Sequence, residues 1–182
     1  GNIAEPVEND VNPNPNLTSA NTVMMVACYG DGADTTLVII DGWTTGANNY
    51  IKIYTPVSSV EVGQSQRHNG KWDNTKYRIE SGVAPIRIGD ATAGAGNVWI
   101  DGLQVYLSSV TGSGNSGILI NQNTQANHRI SNNIVRGVTN STYWNSGIYA
   151  YAGAASSFVR IWNNIVYDFA GSANGNGIGF AD

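Results

Sequence analysis

The chain has little charge, a single cysteine and no long apolar run. Charged residues form 12% of its 182 residues, about half the usual share, and its net charge is −4 without any basic run. We therefore expect no binding to nucleic acid, which depends on neutralising phosphates. Because Cys28 stands alone, an internal disulfide and a cysteine-based zinc site are excluded. No segment approaches the roughly 20 apolar residues of a membrane-spanning helix.

Two short sequence patterns recur about every 30 residues. In the first, Ile100, Ile130 and Ile161 occupy the same place, with spacings of 30 and 31 residues. In the second, Gly-Ile pairs start at residues 117, 147 and 177, in phase with the first pattern. A repeat of this length built from short β segments indicates a solenoid, because one unit cannot bury its own apolar face and must stack on the next. The predicted fold class is therefore all-β.

The repeat and the composition together divide the chain into three parts. Glycine and asparagine are abundant, at 22 and 23 residues, and favour short strands and tight turns over helices. Residues 1–22 are predicted to form an extended tail, because asparagine alternates with proline over residues 12–16. Residues 23–90 are predicted to form an irregular N-terminal cap region with the first coil or coils, and residues 91–182 the regular coils.

Side chains within each repeat alternate with period 2, as in strands that bury one face. The three isoleucines of the first pattern are expected to stack inward, with coils about 4.8 Å apart. His128 falls in a neighbouring inward column, which favours a buried histidine over a metal ligand. Gly102, Asn132 and Asn163 are expected to mark the bend that follows. His68 lies in a polar loop over residues 64–76, for which a ligand-binding role and a solvated cap both stay open.

Two of the repeats resemble the coils of a known superfamily. Ile-Ser-Asn-Asn-Ile-Val at residues 130–135 and Ile-Trp-Asn-Asn-Ile-Val at 161–166, each followed by a Gly-Ile strand, are similar to coils of right-handed parallel β-helix proteins of the pectate-lyase-like superfamily. The resemblance covers residues 98–182. Upstream, residues 42–43, 50–56 and 67–73 look similar to the entry region of uncharacterised secreted β-helix proteins. The resemblance implies three strands per coil, an asparagine ladder at Asn132 and Asn163, and an extracellular location.

The superfamily includes enzymes that cleave polysaccharides, so we searched the sequence for their chemistry. A lyase needs calcium held by carboxylates and a basic residue, and a hydrolase needs paired carboxylates. After residue 101 the acids are Asp168 and Asp182 alone. Residues 98–101 resemble the Val-Trp-Ile-Asp-His stretch of pectate lyases, but Gly102 replaces the histidine. No metal or cofactor is predicted, and calcium would be required only by a lyase.

Three residues are the candidates for a catalytic role. Asp101 comes from the stretch that resembles pectate lyases, and its other interpretation is a simple Asp-Gly turn. Arg136 and Asp168 are expected to lie on adjacent coils and to form a diagonal surface ion pair, a contact that usually contributes under about 1 kcal/mol.

Outward aromatic residues are the candidates for ligand contact. Trp99 and Trp162 are expected on one face of the solenoid, and Tyr149 and Tyr151 on another. Exposed aromatic rings in line can stack on sugar rings or on a partner chain. The sequence therefore favours binding of carbohydrate or of another protein over catalysis.

Three functional hypotheses follow from the sequence. The first is a non-catalytic extracellular β-helix module for self-assembly or surface attachment, with contact to carbohydrate through its outward aromatics. The second is a polysaccharide lyase or glycoside hydrolase, and the third is a segment of a phage fibre. The second repeat pattern is still running at residues 177–182. We expect the last coil to be covered either by further chain or by another copy stacked head to tail into a filament.

Overall fold

A computed structural model describes residues 15–61, 64–89, 95–122, 125–152, 157–170 and 175–181. Over these ranges the chain forms five successive coils of three β-strands each. Most of the predicted tail, residues 1–14, lies outside the described residues. The strands are as follows: coil 1, β1 (Met24–Ala27), β2 (Ala33–Asp34) and β3 (Val38–Ile40); coil 2, β4 (Ile51–Tyr54), β5 (Arg78–Ser81) and β6 (Ile86–Ile88); coil 3, β7 (Val98–Asp101), β8 (Gln104–Leu107) and β9 (Asn115–Gln122); coil 4, β10 (Asn127–Ser131), β11 (Ile134–Arg136) and β12 (Asn145–Ala152); coil 5, β13 (Phe158–Trp162), β14 (Ile165–Tyr167) and β15 (Asn176–Ala181).

Corresponding strands of successive coils pair in parallel and build three sheets of five strands. The first strands of the coils (β1, β4, β7, β10 and β13) form sheet 1, the second strands form sheet 2 and the third strands form sheet 3. Each strand therefore pairs with the strand one coil away and not with its neighbour in sequence. This confirms the prediction of an all-β solenoid, and each coil has three strands.

The core is a set of apolar columns that run through the coils. Ile130 pairs in register with Ile100 on one side and with Ile161 on the other. Ile100 and Ile130 are fully buried, and Ile161 packs against the same core. In the next column His128 is also fully buried, and burial lowers the pKa of its imidazole to about 4. Parallel pairing in register thus places equivalent residues of the repeat directly over one another.

A single helical turn, α1 (Leu17–Ala20), covers part of coil 1. The composition argued against helices, but the Asn16 side chain accepts a hydrogen bond from the Ser19 backbone N–H and caps this turn. Leu17 then buries its side chain in the core cluster. None of the helical structure in the described ranges has the length and apolar character that a membrane crossing demands.

The bend between sheets 1 and 2 uses the left-handed backbone conformation in three successive coils. Gly102, Asn132 and Asn163 have φ values of 80°, 56° and 54°. Glycine and asparagine adopt this conformation at lower cost than other residues. The bend therefore falls at the three positions that the repeat indicated.

The side-chain ladder at this bend lies one residue beyond its predicted position. The Asn133 side chain, which is fully buried, accepts a hydrogen bond from the Leu103 backbone N–H at 2.9 Å and donates to the Ile100 carbonyl oxygen. Asn164 accepts hydrogen bonds from both the backbone N–H and the side-chain Nδ2 of Asn133. Asn132 and Asn163 supply the backbone turn, while Asn133 and Asn164 satisfy the backbone groups that the turn leaves inside.

These different roles predict that a substitution at Asn133 destabilises the fold more than a substitution at Asn163. Replacing Asn133 by alanine leaves the Leu103 N–H and the Ile100 carbonyl oxygen buried without their partner, and should lower the free energy of unfolding by about 3 kcal/mol. Replacing Asn163 by glycine keeps the left-handed turn and removes only an exposed side chain, and should stay within about 1 kcal/mol of the wild type. Chemical denaturation of N133A and N163G measures both. Equal losses of unfolding free energy in the two variants would contradict the assignment of the ladder to Asn133 and Asn164.

Candidate functional site

A cleft crosses the outward face of sheet 1 and continues over the bend toward sheet 2. It consists of two adjoining cavities of about 230 and 420 Å³ that share Asn132. We call their combined surface the sheet 1 cleft. The first cavity is lined by Lys52, Trp99, Asp101, Arg129, Ser131 and Trp162, and the second by Val57, Arg67, His68, Gly70, Asn163 and Ile165.

Strand alternation explains which side chains reach the first cavity. Residues at alternate positions of β4, β7, β10 and β13 point outward, and parallel pairing arranges them in two columns along the solenoid. The cavity therefore combines contributions from four coils. One column contains Lys52, Trp99, Arg129 and Arg160, and the other contains Tyr54, Asp101, Ser131 and Trp162.

Asp101 lies at the centre of the cleft and is held by several donors. The guanidinium of Arg67 donates to both carboxylate oxygens, at 3.3 Å and 2.8 Å. Asn132 Nδ2 and Ser131 Oγ donate to Oδ1, at 2.7 Å and 2.9 Å. Burial alone raises the pKa of Asp101, but the hydrogen bonds from Arg67, Asn132 and Ser131 outweigh it and lower this pKa to about 2. The carboxylate is therefore ionised and fully engaged at neutral pH.

Arg67 also explains why residue 102 is a glycine. The guanidinium of Arg67 fills the space that a side chain at Gly102 would enter, and the φ of 80° at this position favours glycine as well. Arg67 is fixed there by hydrogen bonds to the carbonyl oxygen of Thr55. The space beside Gly102 is thus filled by an arginine from a distant loop.

His68 is tied to the bend and lines the larger cavity. Its Nδ1 accepts a hydrogen bond from the Gly70 backbone N–H at 3.2 Å, so its proton is on Nε2, which donates to the Asn132 carbonyl oxygen at 2.8 Å. Burial lowers the pKa of His68, which keeps the ring neutral at neutral pH. The loop that carries Arg67 and His68 therefore attaches coil 2 to coils 3 and 4.

The four aromatic residues predicted to contact a ligand differ in the ring surface that they present. Both faces of Trp99 are covered, one by Tyr50 with ring centroids 3.7 Å apart and the other by the Arg129 guanidinium at 4.0 Å. Trp162 is 42% exposed and lies at the edge of the cleft. Trp162 is therefore the aromatic residue of the cleft that has an open ring surface.

The two predicted tyrosines lie on sheet 3, away from the cleft. Tyr149 packs edge-on against Trp144, with ring centroids 4.8 Å apart, and its ring also lies close to the backbone of Gly179. Tyr151 is 38% exposed. The predicted contact residues thus belong to two separate surfaces.

The structure pairs two of the three candidate catalytic residues and places the third, Asp101, apart from them. Arg136 and Asp168 form the expected ion pair, with Nε and Oδ2 3.5 Å apart and both side chains 38% exposed. The Arg136 guanidinium also lies over the ring of Tyr106, at the far end of β8 and β11 on sheet 2. Asp101 is on sheet 1. Within the described ranges, no group of three or more His, Cys, Asp or Glu side chains could hold a metal ion.

The sequence repeat predicts that Arg129 and Arg160 face outward in one column with Trp99, but it assigned them no role in binding. Lys52 also falls on an outward position of a predicted strand, so the alternation could have added it to this column. Arg67 gave no such signal, because it is in a loop without repeats and contacts Asp101 34 residues later.

Comparison with known proteins found no matching family model, curated protein or solved structure. The described part of the chain is established as a parallel β-solenoid of five coils by its sheet pairing alone.

The Asp101 interactions predict a stability contribution that depends on pH. Because the folded state lowers the pKa of this carboxyl from 3.8 to about 2, its contribution is complete above pH 3.8 and is lost as the pH falls toward 2. Replacing Asp101 by asparagine should lower the free energy of unfolding by about 2 kcal/mol at pH 7, with a smaller difference at pH 3. Urea denaturation of the wild type and of the variant at pH 7 and at pH 3 measures this difference in unfolding free energy. A difference that grows on acidification would contradict the assignment.

Proposed function

We propose that the chain is a non-catalytic, extracellular β-solenoid module that attaches to acidic carbohydrate through the sheet 1 cleft. The observation that carries this proposal is the local charge. Lys52, Arg67 and Arg129 line the cleft, Arg160 lies in register beside them, and Asp101 is the carboxylate among the lining residues. The chain as a whole has a net charge of −4. A relationship to the pectate-lyase-like superfamily, suggested by the Asn-Asn-Ile-Val coils, is part of the same proposal.

The excess of positive charge supports an anionic ligand, because a cleft with an excess of one sign of charge raises the local concentration of the opposite one. The open ring of Trp162 supports a sugar, since aromatic faces pack against the apolar side of sugar rings. The cleft also follows the outward face of parallel strands, so its groups are spaced along the solenoid and suit an extended chain.

The state of Asp101 supports binding rather than catalysis. A general acid or base works best with a pKa near the operating pH, whereas the pKa of Asp101 is lowered to about 2. Its oxygens are also occupied by Arg67, Asn132 and Ser131. A lyase or hydrolase is the competing proposal, and turnover of the bound polysaccharide would favour it.

Affinity electrophoresis through gels that contain a polyuronate, its methyl ester or a neutral glucan tests this function. We expect the polyuronate alone to retard the wild-type chain, and salt to reduce the effect. Replacing Trp162 by alanine should weaken retardation about tenfold. The matched control is Tyr151→Ala, which removes a ring of similar exposure from sheet 3 and should change nothing.

Two outcomes would count against the proposal. Equal retardation by all three gels, or an equal effect of W162A and Y151A, would show that the cleft does not bind acidic sugar. Release of unsaturated or reducing sugar ends from the polyuronate would show an enzyme.

A second candidate function is self-assembly, and exposed apolar residues on coil 5 favour it. Ile148 and Ala150 on coil 4 are buried beneath coil 5, whereas their register partners Ile178 and Phe180 are 45% and 63% exposed. Phe158 and Ile165 are similarly exposed. We propose that coil 1 of a second copy stacks on this surface, head to tail. Its strands would then continue the three parallel sheets across the contact.

Light scattering over a range of concentrations tests self-assembly. The wild type should grow in mass with concentration, and Phe180→Asp should prevent the growth, because a charge in the contact would have to be desolvated. Val83→Asp is a suitable control, because Val83 is 48% exposed on coil 2, between β5 and β6. A wild-type chain that stays monomeric at high concentration would rule out this candidate.

A further inference from the structure

The cations of the sheet 1 cleft differ in how far the protein itself uses them. Arg67 is bound to Asp101 and Thr55. Lys52 Nζ lies 3.8 Å from the Asp101 carboxylate. Arg160 Nη1 donates to the Asn127 side chain. By contrast, the Arg129 guanidinium makes no hydrogen bond or ion pair with any residue in the part of the chain that the structure describes.

Arg129 is nevertheless held in a defined orientation. Its guanidinium lies 4.0 Å from the ring centroid of Trp99, and Trp99 stacks on Tyr50 at 3.7 Å with an angle of 12° between the planes. The three groups follow one another along the outward face of sheet 1. A guanidinium that lies over an aromatic ring can stack through its face and keep the N–H donors along its edge available.

A planar guanidinium with free edge donors is suited to a bidentate contact with an oxyanion. Two parallel N–H···O bonds fix both the position and the orientation of a carboxylate or sulfate group, which a lysine ammonium cannot do. Trp162 and Ser131 line the same cavity of about 230 Å³, so a sugar ring that carries the acidic group has room beside Arg129.

We infer that Arg129 is the residue that recognises the acidic group of the ligand, with Trp99 as its positioning residue. This inference rests on the proposed binding of acidic carbohydrate. Arg129 forms the bidentate contact, whereas Lys52, Arg67 and Arg160 contribute positive charge while staying bound to the protein. The selectivity of the cleft for acidic over neutral sugar therefore depends on one side chain.

Replacing Arg129 by lysine tests the inference, since the charge is kept and the planar donor edge is lost. Calorimetry with a short oligouronate, a sulfated oligosaccharide and inorganic sulfate as separate probes identifies the acidic group. We expect R129K to weaken the affinity for the preferred oligosaccharide ten- to hundredfold. The matched control is Arg160→Lys, the register neighbour that is already bound to Asn127, and it should bind within about twofold of the wild type.

Variants of Trp99 separate positioning from a merely structural role. Trp99→Leu removes the aromatic ring beneath Arg129 and should weaken the affinity for the oligosaccharide about tenfold. Trp99→Phe retains an aromatic face and should keep most of the affinity. In the background of R129K, the change W99L should have little additional effect, because the group that Trp99 orients is already gone. Urea denaturation of each variant checks that the solenoid is intact, and Arg129→Gln provides a second removal of the guanidinium.

The results distinguish failure of the inference from failure of the proposed function. If the wild type binds none of the three probes or the polyuronate, the proposed function itself is wrong. If the wild type binds an acidic oligosaccharide but R129K and R129Q bind it equally well, Arg129 does not recognise the acidic group. An equal loss in R160K and R129K would also overturn the inference, because it would show that binding does not depend on the guanidinium of Arg129 in particular.

Discussion

Parallel pairing in register is the constraint on which the rest of this molecule depends. Each strand pairs with its counterpart one coil away, so each position of the repeat becomes a column that runs along the solenoid. Inward columns of isoleucine and valine make the core continuous from coil to coil. Outward columns place Lys52, Trp99, Arg129 and Arg160 in a line although they are far apart in sequence. The core and the candidate site are thus two consequences of the same pairing.

The bend between sheets 1 and 2 connects that pairing to the site. Asn133 and Asn164 satisfy the backbone groups inside the bend, so successive coils can turn at the same place without buried polar groups lacking partners. On the outside, Asn132 donates to Asp101 and accepts from His68. The side-chain ladder inside the bend and the cleft outside it therefore share one turn of backbone, and a change that disturbs the ladder is expected to disturb the cleft.

Sequence reasoning succeeded where the repeat gave a signal and failed where it did not. The stacked isoleucines and the bend followed from spacing and from the preference of glycine and asparagine for left-handed φ. The ladder was placed one residue too early, because Asn132 and Asn133 are chemically identical in sequence and the backbone decides which of them points inward. Arg67 was missed because a loop contact across 34 residues has no periodic pattern. The two-residue strand β2 was missed because it is too short to show alternation.

Native-state hydrogen exchange at the bend tests the stacking of coils most directly. The Leu103 amide donates to the side chain of Asn133, and the Asn133 amide donates to that of Asn164, so each one is protected only while neighbouring coils stay in register. We expect both amides to exchange through global unfolding, with the same free energy of opening as the amide of Ile130 in the middle of sheet 1. Exchange at the bend as fast as at the exposed loop residue Asn69, with Ile130 still protected, would contradict this expectation.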